Sequence, residues 1–253
     1  MVFNITITKN IFYTTTSFFI IIYENNINQY VYILIDRYTN IQMLEINANR
    51  ETSIHFRKHI IHSFNNATNN ISKITPEIIS ISNMIGVKKL HFFNNLLEMD
   101  GSRYLQLGGW KGVMICSAMY NNTSYITCIH DWSGFEGPRN IFLDNLNKYK
   151  GANQMVFIEH EPITLDLITV PISNIYYSCG DPTRTMTLQY YLPKLTNVFI
   201  YIISHWNWEY VRDETYQMFN ELNLSILFEM ANSQDNETIK YWDSGLAVFI
   251  LSK

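Results

Sequence analysis

The sequence predicts an α/β protein: a Rossmann-like, doubly wound sheet of seven strands with a small β-rich N-terminal appendage. Three observations predict this fold. From about Pro76 onward, β-branched and aromatic segments alternate with stretches of helical periodicity, which is typical of parallel strands joined by helices. Three of the ten glycines fall within positions 108–112, between a strand and a helix. The last two strand-like segments have little helix between them, which indicates an antiparallel hairpin.

The N-terminal part differs from the rest of the chain. Two segments rich in β-branched and aromatic residues flank the turn-like "ENNINQ" at 24–29, which predicts two or more antiparallel strands. Residues 51–64 predict a helix, and the polar stretch 65–73 predicts a linker. The chain is therefore divided into an appendage with its linker, residues 1–75, and a main domain, residues 76–253.

Each element of the main domain is predicted from its own pattern. Strands are runs of about four to eight mostly β-branched or aromatic residues, and helices have apolar residues three or four positions apart. The predicted helices are 86–98, 111–120, 138–149 and 208–222. The predicted strands are 103–107, 124–130, 154–160, 172–178, 197–204, 224–230 and 246–252.

The composition excludes several classes of protein. Hydrophobic residues make up 47% and charged residues 16%, as in a globular rather than a disordered chain. With a net charge of −4, the chain lacks the positive charge of a typical nucleic-acid-binding domain, and no nucleic-acid partner is expected. The apolar run at 18–23 is too short to span a bilayer, and no secretory signal accompanies it. The three cysteines have no metal-type spacing, which favours a reduced, intracellular compartment.

Four segments of the main domain carry motifs typical of one protein family. They are "YLQLGGWKG" (104–112), "CIHDWSGFEGPRNIFLDNLNKYKG" (128–151), "YYLPKL" (190–195) and "HWNWEYVRDET" (205–215). Their order and spacing resemble a branch of the class I S-adenosylmethionine-dependent methyltransferases that is associated with giant viruses and some bacteria. That branch carries "LEIGTWKG", "IDNWSEF", "YDGDHS" and "VDDWNWE" at matching places. The abundance of Ile, Asn, Tyr and Phe favours an AT-rich genome, such as that of a large DNA virus. The resemblance covers about residues 80–253 and implies the methyltransferase fold, whose seven-stranded sheet ends in an antiparallel hairpin.

The resemblance implies that the glycine loop binds S-adenosylmethionine. Backbone N–H groups can approach a ligand closely only where no Cβ intervenes, and Gly108 and Gly109 would provide that approach. Trp110 follows them in the loop, and Gly112 would let the next helix pack close to the sheet.

Two acidic positions of the family, which hold the cofactor, are changed in this chain. The residue two positions before the first glycine is Gln106, whose amide can accept a hydrogen bond but offers no charge to a sulfonium or ammonium group. At the end of the second strand of the main domain, the position that binds the ribose hydroxyls is His130, and Asp131 comes one place later. All three are candidate cofactor-binding residues.

The segments that would lie near the methyl acceptor are also changed. The family's "DGDHS" is "CGDPT" at 179–183, and its "DDWNW" is "SHWNW" at 204–208. The resemblance implies that these positions bind a divalent metal or deprotonate the acceptor. Because Asp181 is the one carboxylate left in the two segments, a magnesium site is not expected. Asp181 and His205 are the candidate catalytic residues, with His205 as a general base.

A zinc site is the alternative use of these side chains. Several potential ligands fall at or just after the carboxyl ends of predicted parallel strands: His130, His160, Cys179, Asp181 and His205. Their spacing has no short-range ligand motif, so unselected polar residues at a wet rim are favoured over a metal site. The large aromatics Trp132, Trp206 and Trp208 could stack on a ligand ring, although packing in the core is favoured for them.

Two functional classes remain open at this point. The first is a methyltransferase that moves a methyl group from S-adenosylmethionine to a hydroxyl or amine of a small molecule or sugar. The second is a catalytically inactive relative that serves as a structural or interaction subunit, with residues 1–60 as the surface for protein partners, in a large assembly such as a virion. The altered motifs are typical of a pseudoenzyme, and they leave the two classes in competition.

Overall fold

The computed structural model describes residues 13–15, 18–24, 30–36, 40–81, 85–132, 138–178, 184–232, 242 and 244–253. The chain forms two compact units, Met1–Thr52 and Ser53–Lys253. Among the described residues, no helix is both long and apolar enough to cross a bilayer.

The first unit contains a three-stranded antiparallel sheet. Its strands are β1 (Tyr13–Thr15), β2 (Phe18–Glu24) and β3 (Tyr30–Asp36), with β2 in the centre. The predicted antiparallel strands are therefore present. Helix α1 (Asn40–Thr68) follows. It includes the predicted helix 51–64, but it continues through 65–68, so the prediction that the linker begins at residue 65 is wrong by one helical turn.

The second unit alternates strands and helices as predicted. Its helices are α2 (Pro76–Ile79), α3 (Val87–Leu96), α4 (Val113–Met119), α5 (Arg139–Tyr149), α6 (Arg184–Tyr191) and α7 (Glu209–Glu221). Its strands are β4 (Arg103–Leu107), β5 (Tyr125–Ile129), β6 (Gln154–Ile158), β7 (Ser173–Ser178), β8 (Leu195–Ser204), β9 (Ser225–Asn232) and β10 (Leu246–Ser252).

These seven strands form one mixed sheet in the order β6-β5-β4-β7-β8-β10-β9. Strands β4 to β8 pair in parallel, whereas β10 is antiparallel to both β8 and β9. The predicted doubly wound sheet with a terminal antiparallel hairpin is thus confirmed, and this is the methyltransferase fold.

Both faces of the sheet are buried because successive side chains of a strand point to opposite faces. On β8, Ile200 and Ile202 belong to the core on one face, where helices α3, α4 and α5 pack. Tyr201 and Ile203 belong to the core on the other face, where α6 and α7 pack. This pattern explains why the parallel strands have almost continuous apolar sequences.

The strand order places one switch point in the parallel part of the sheet. The chain runs outward from β4 through β5 to β6, and then returns to place β7 and β8 on the other side of β4. Ligands of open α/β sheets bind outside the carboxyl ends of the strands at such a point. The glycine loop directly follows β4 and therefore lies at this position.

Asn94 on α3 fixes the helix that follows the glycine loop. Its buried side-chain amide accepts a hydrogen bond from the backbone N–H of Lys73 and donates to the carbonyls of Ser117 and Tyr120. Because Asn94→Ala would leave these three buried groups without partners, we expect the free energy of unfolding to fall by about 3 kcal/mol in urea titrations. The control Asn147→Ala, at an exposed position of α5, should stay within about 0.5 kcal/mol of wild type. Equal losses in the two variants would contradict this role.

Candidate functional site

The glycine loop is a tight connection between β4 and α4. Gly108 has a φ of 81°, and its N–H donates to the carbonyl of Ile129 at 2.9 Å. Gly112, with a φ of 86°, is the N-cap of α4 and donates to the carbonyl of Gly109 at 2.7 Å. Both φ values lie in the left-handed region that favours glycine. The loop is thus bonded both to the neighbouring strand and to itself.

Phe142 on α5 explains why position 109 has no side chain. A Cβ added to Gly109 would lie 2.5 Å from Cε2 of Phe142, and one added to Gly112 would lie 3.2 Å from Cδ2 of the same ring. The sequence analysis did not identify Phe142 as a residue of the site. The available signal was its place in the apolar series Phe142, Leu146 and Tyr149, which predicts a buried helix face but not the element that this face contacts.

Two backbone donors of the loop have no hydrogen-bond partner among the described residues. They are the N–H groups of Gly109 and Lys111. The carbonyl of Lys111 is engaged, because it accepts from the side chain of Asn145 on α5 at 2.9 Å. A strand-to-helix loop with unpaired N–H groups can bind a carboxylate, a phosphate or a hydroxyl.

Gln106 is buried beneath the loop and supports it. Its Oε1 accepts a hydrogen bond from the hydroxyl of Tyr104 at 2.9 Å, and its Nε2 donates to the carbonyl of Gly108 at 2.7 Å. Both ends of the amide are therefore engaged within the protein. At this position the chain has a neutral side chain that holds the loop, in place of the charged anchor that the resemblance implies.

The end of β5 carries an imidazole beside a row of aromatic rings. The ring of His130 lies 4.2 Å from that of Trp132, and Trp132 lies 5.3 Å from Phe142. Burial lowers the pKa of His130, whereas the charges of Asp131 and Glu159 act in the opposite direction. The neutral imidazole is thus the favoured form at physiological pH.

Acidic groups follow both β5 and β6 at this edge of the sheet. Asp131 lies next to His130, and Glu159 follows Ile158, the last residue of β6. Glu159 makes a two-pronged ion pair with Arg139, at 2.6 and 2.7 Å, and hydrogen bonding to that guanidinium lowers the pKa of the carboxyl. Because this pair is exposed, its contribution to stability is small.

His205 lies on the other side of the switch point, directly after β8. It has a φ of 63°, and its ring stacks on that of Trp208 at 4.5 Å with an interplanar angle of 26°. Ser204, the last residue of β8, shares a buried hydrogen bond with the hydroxyl of Tyr177 at 3.1 Å. Strand β7 separates β8 from β4, so His205 and the glycine loop are about 10 Å apart across the sheet.

The structure separates the residues that were considered for zinc. His160 follows β6 at the edge of the sheet, whereas His205 follows β8, and three strands lie between these two. That distance is about 19 Å, too far for one ion to bind both residues. Cys179 and Asp181 lie outside the described residues, so the structure neither supports nor opposes Asp181 as a catalytic residue. No group of three His, Cys, Asp or Glu side chains in the described part of the chain could hold a metal ion.

The predicted cofactor-binding residues meet at one edge of the sheet. Gln106 lies under the loop formed by Gly108, Gly109 and Trp110, and the pairing of β4 with β5 brings His130 and Asp131 beside it. Trp110, in the middle of the loop, has a φ of 45°.

No protein-family model and no curated protein matches the chain. Solved structures with a similar chain path include TrmN from Thermus thermophilus, at 13% identity and a TM-score of 0.48, covering 70% of this chain and 52% of that one. A SAM-dependent methyltransferase from Geobacter sulfurreducens in complex with S-adenosyl-L-homocysteine is 14% identical with a TM-score of 0.44, covering 70% and 98%. The tRNA methyltransferase TrmK of B. subtilis is 12% identical with a TM-score of 0.44, covering 65% of each chain. The strand order of this chain by itself defines its fold.

The contact between Gly109 and Phe142 can be tested with a double-mutant cycle. Gly109→Ala places a methyl group against the ring, and we expect it to lower the free energy of unfolding by about 2 kcal/mol. In a Phe142→Ala background the same change should cost at least about 1 kcal/mol less, because the obstacle is gone. Urea unfolding of the four proteins measures both costs. An equal cost in the two backgrounds would show that the ring does not exclude a side chain at position 109.

The environment of His130 predicts a pH dependence of stability. Because burial lowers its pKa below the ordinary value of 6.5, the unfolded state binds more protons than the folded state as the pH falls through and below that value. The contribution of His130 to stability is thus complete above pH 6.5 and is lost at lower pH. A titration of the imidazole Cε1–H signal by NMR, assigned with His130→Gln, should have its midpoint below 6.5. A midpoint at or above that value would refute the effect of burial.

Proposed function

We propose that the chain binds S-adenosylmethionine at the carboxyl edge of β4 and β5 and transfers its methyl group to a hydroxyl or amine of a small molecule or sugar. One observation carries this proposal. A glycine loop that is already fixed by hydrogen bonds lies at the switch point of a methyltransferase-fold sheet, and its N–H groups at Gly109 and Lys111 have no partner in the part of the chain that the structure describes.

The residues at this edge suit the parts of the cofactor. The backbone of Gly108, Gly109 and Trp110 would line its methionine moiety, whose carboxylate matches the unpaired N–H groups of the loop. Asp131, at the end of β5, would accept hydrogen bonds from the ribose hydroxyls. The neutral imidazole of His130 and the adjoining ring of Trp132 form an aromatic surface with polar ring nitrogens at its edge. When bound, the cofactor supplies a methyl group on a sulfonium ion.

The acceptor would lie toward β7 and β8. His205 is positioned at the end of β8, and its stacking on Trp208 holds the imidazole in place. At a pH near neutral, an uncharged imidazole can accept the proton of a hydroxyl or amine as that group becomes a nucleophile. Three further parts of this proposal rest on the sequence alone. They are a catalytic role for Asp181, a giant virus as the source of the protein, and an intracellular location.

Gln106 favours a second candidate function. The buried amide is engaged by Tyr104 and Gly108, and it offers no charge to the cationic end of the cofactor. A chain that retained the scaffold as a binding or structural subunit, with residues 1–60 contacting a protein partner, has no need for a charge at this position. The two candidates differ in whether S-adenosylmethionine binds.

Isothermal titration calorimetry with S-adenosylmethionine tests the proposal. We expect saturable binding in the micromolar range, and at least about tenfold weaker binding by Asp131→Asn, which corresponds to about 1.4 kcal/mol. The control Asp144→Asn changes an exposed carboxylate on α5 and should bind as the wild type does.

The alternative makes the opposite prediction for the same protein. An absence of heat in the titration, together with no thermal shift at roughly 1 mM S-adenosylmethionine, would eliminate methyl transfer and leave the subunit function. If Asp131→Asn binds S-adenosylmethionine as tightly as the wild type does, the chain binds the cofactor but Asp131 does not contact it.

A further inference from the structure

Three aromatic rings form a stacked series at the end of β8, and we name His205, Trp208 and Tyr210 the aromatic platform. Trp208 lies 4.5 Å from His205 at 26°, and 5.7 Å from Tyr210 at 24°. Trp208 is 45% exposed and Tyr210 is 54% exposed. Rings of this size are usually buried, so the exposure of two stacked rings side by side calls for an explanation other than core packing.

The platform is fixed to the rigid part of the sheet. The neighbouring Trp206 is buried, and its ring lies 5.4 Å from that of Phe249 on β10. Arg212 donates to the carbonyl of Trp206 at 2.7 Å, and the backbone N–H of Asn207 donates to the carbonyl of Ser244 at 3.1 Å. A ligand that stacks on rings held in this way incurs little loss of conformational freedom in the protein.

Two carboxylates accompany the exposed rings. Glu209 and Asp213 line the same open depression of about 690 Å³ as Trp208 and Tyr210. They are four residues apart on α7, where two like charges destabilise a helix. Neither has an ion-pair partner among the described residues.

The helix itself does not account for both acidic residues. Glu209 stabilises the start of α7 through the helix dipole, but that effect fades beyond the first turn, and Asp213 lies in the second turn. The adjacent Arg212 is directed to the carbonyl of Trp206, and Glu214 forms an ion pair with Arg184 at 2.6 Å. The depression thus combines exposed aromatic rings with two carboxylates that have no ion-pair partner among the described residues.

We propose that the aromatic platform binds a planar cationic group of a small molecule, such as an amidinium or an N-alkylated heteroaromatic ring. The face of an aromatic ring attracts a cation, Trp most strongly, and the two carboxylates add a charge of the required sign. Because the platform includes His205, the proposed general base, the bound group would lie on the acceptor side of the proposed site, but its binding does not depend on S-adenosylmethionine.

A matched pair of probes tests the proposal without any cofactor. Benzamidinium and benzamide have nearly the same shape, but benzamidinium alone is a cation. We expect benzamidinium to shift the indole N–H signal of Trp208 in ¹H–¹⁵N spectra of the full chain and to bind about fivefold more tightly than benzamide. Added salt should reduce this preference, because part of it is electrostatic.

Variants separate the contributions of the rings and of the charges. Trp208→Ala should abolish binding of benzamidinium measured by calorimetry, whereas Tyr125→Ala, at an exposed tyrosine on β5, should not. The double variant Glu209→Gln/Asp213→Asn changes only exposed side chains and should lower the preference for benzamidinium over benzamide by at least about twofold, because the two carboxylates supply part of it. Glu221→Gln, at the far end of the same helix, is its control and should keep the preference.

Three results would overturn the proposal. They are equal affinity for the two probes, binding that survives Trp208→Ala, and a charge preference that Glu209→Gln/Asp213→Asn leaves undiminished. Tighter binding of N-acetylarginine amide than of benzamidinium would also reject the assignment to a small molecule, because it would indicate an arginine of a protein partner. None of these results depends on whether S-adenosylmethionine binds, so failure here leaves the proposed function intact.

Discussion

The contact between the ring of Phe142 and the glycine loop determines how the rest of the site is arranged. The ring occupies the space in which a side chain at position 109 would lie, and it also contacts Trp132, which in turn lies against His130. The loop after β4 and the residues after β5 are therefore parts of one packed unit. A substitution in α5 will alter the loop without touching any ligand, because packed interiors transmit changes of shape.

The loop is held from below as well as from the side. Gln106 bonds to the carbonyl of Gly108, and the N–H of Gly108 bonds to Ile129, so the backbone is fixed by several contacts at once. A loop fixed in this way loses little freedom when a ligand binds. The same contacts also keep a neutral amide at the place where the resemblance implies a charge. Support of the loop and a neutral group at this position both follow from the side chain of Gln106.

Much of the fold was predictable from the sequence, because alternation of strands and helices follows from local periodicity. The hairpin of β9 and β10 and the helices α5 and α7 have nearly the predicted bounds. The site was less predictable. The series Phe142, Leu146 and Tyr149 reveals a buried face, but which residue meets Gly109 depends on how α5 lies against the loop.

Exposure was the second property that the sequence could not provide. Trp206 and Trp208 are two positions apart and chemically identical, so both were expected in the core, yet one is buried and the other 45% exposed. The difference arises because β8 ends at Ser204 and α7 begins at Glu209, and the short connection turns successive side chains in different directions. The helical residues at 65–68 were missed for a similar reason, since polar asparagines resemble a linker when tertiary packing is not considered.

The central claim is that the loop after β4 is a ligand-binding loop and not merely a close-packed turn. Amide ¹H–¹⁵N spectra recorded with increasing S-adenosylhomocysteine test it most directly, because the unpaired N–H groups of Gly109 and Lys111 should report contact with the ligand. The account predicts saturable shifts of these two signals, while that of Gly151, at the far end of α5, stays in place. Unchanged signals for Gly109 and Lys111 at saturating ligand would contradict it.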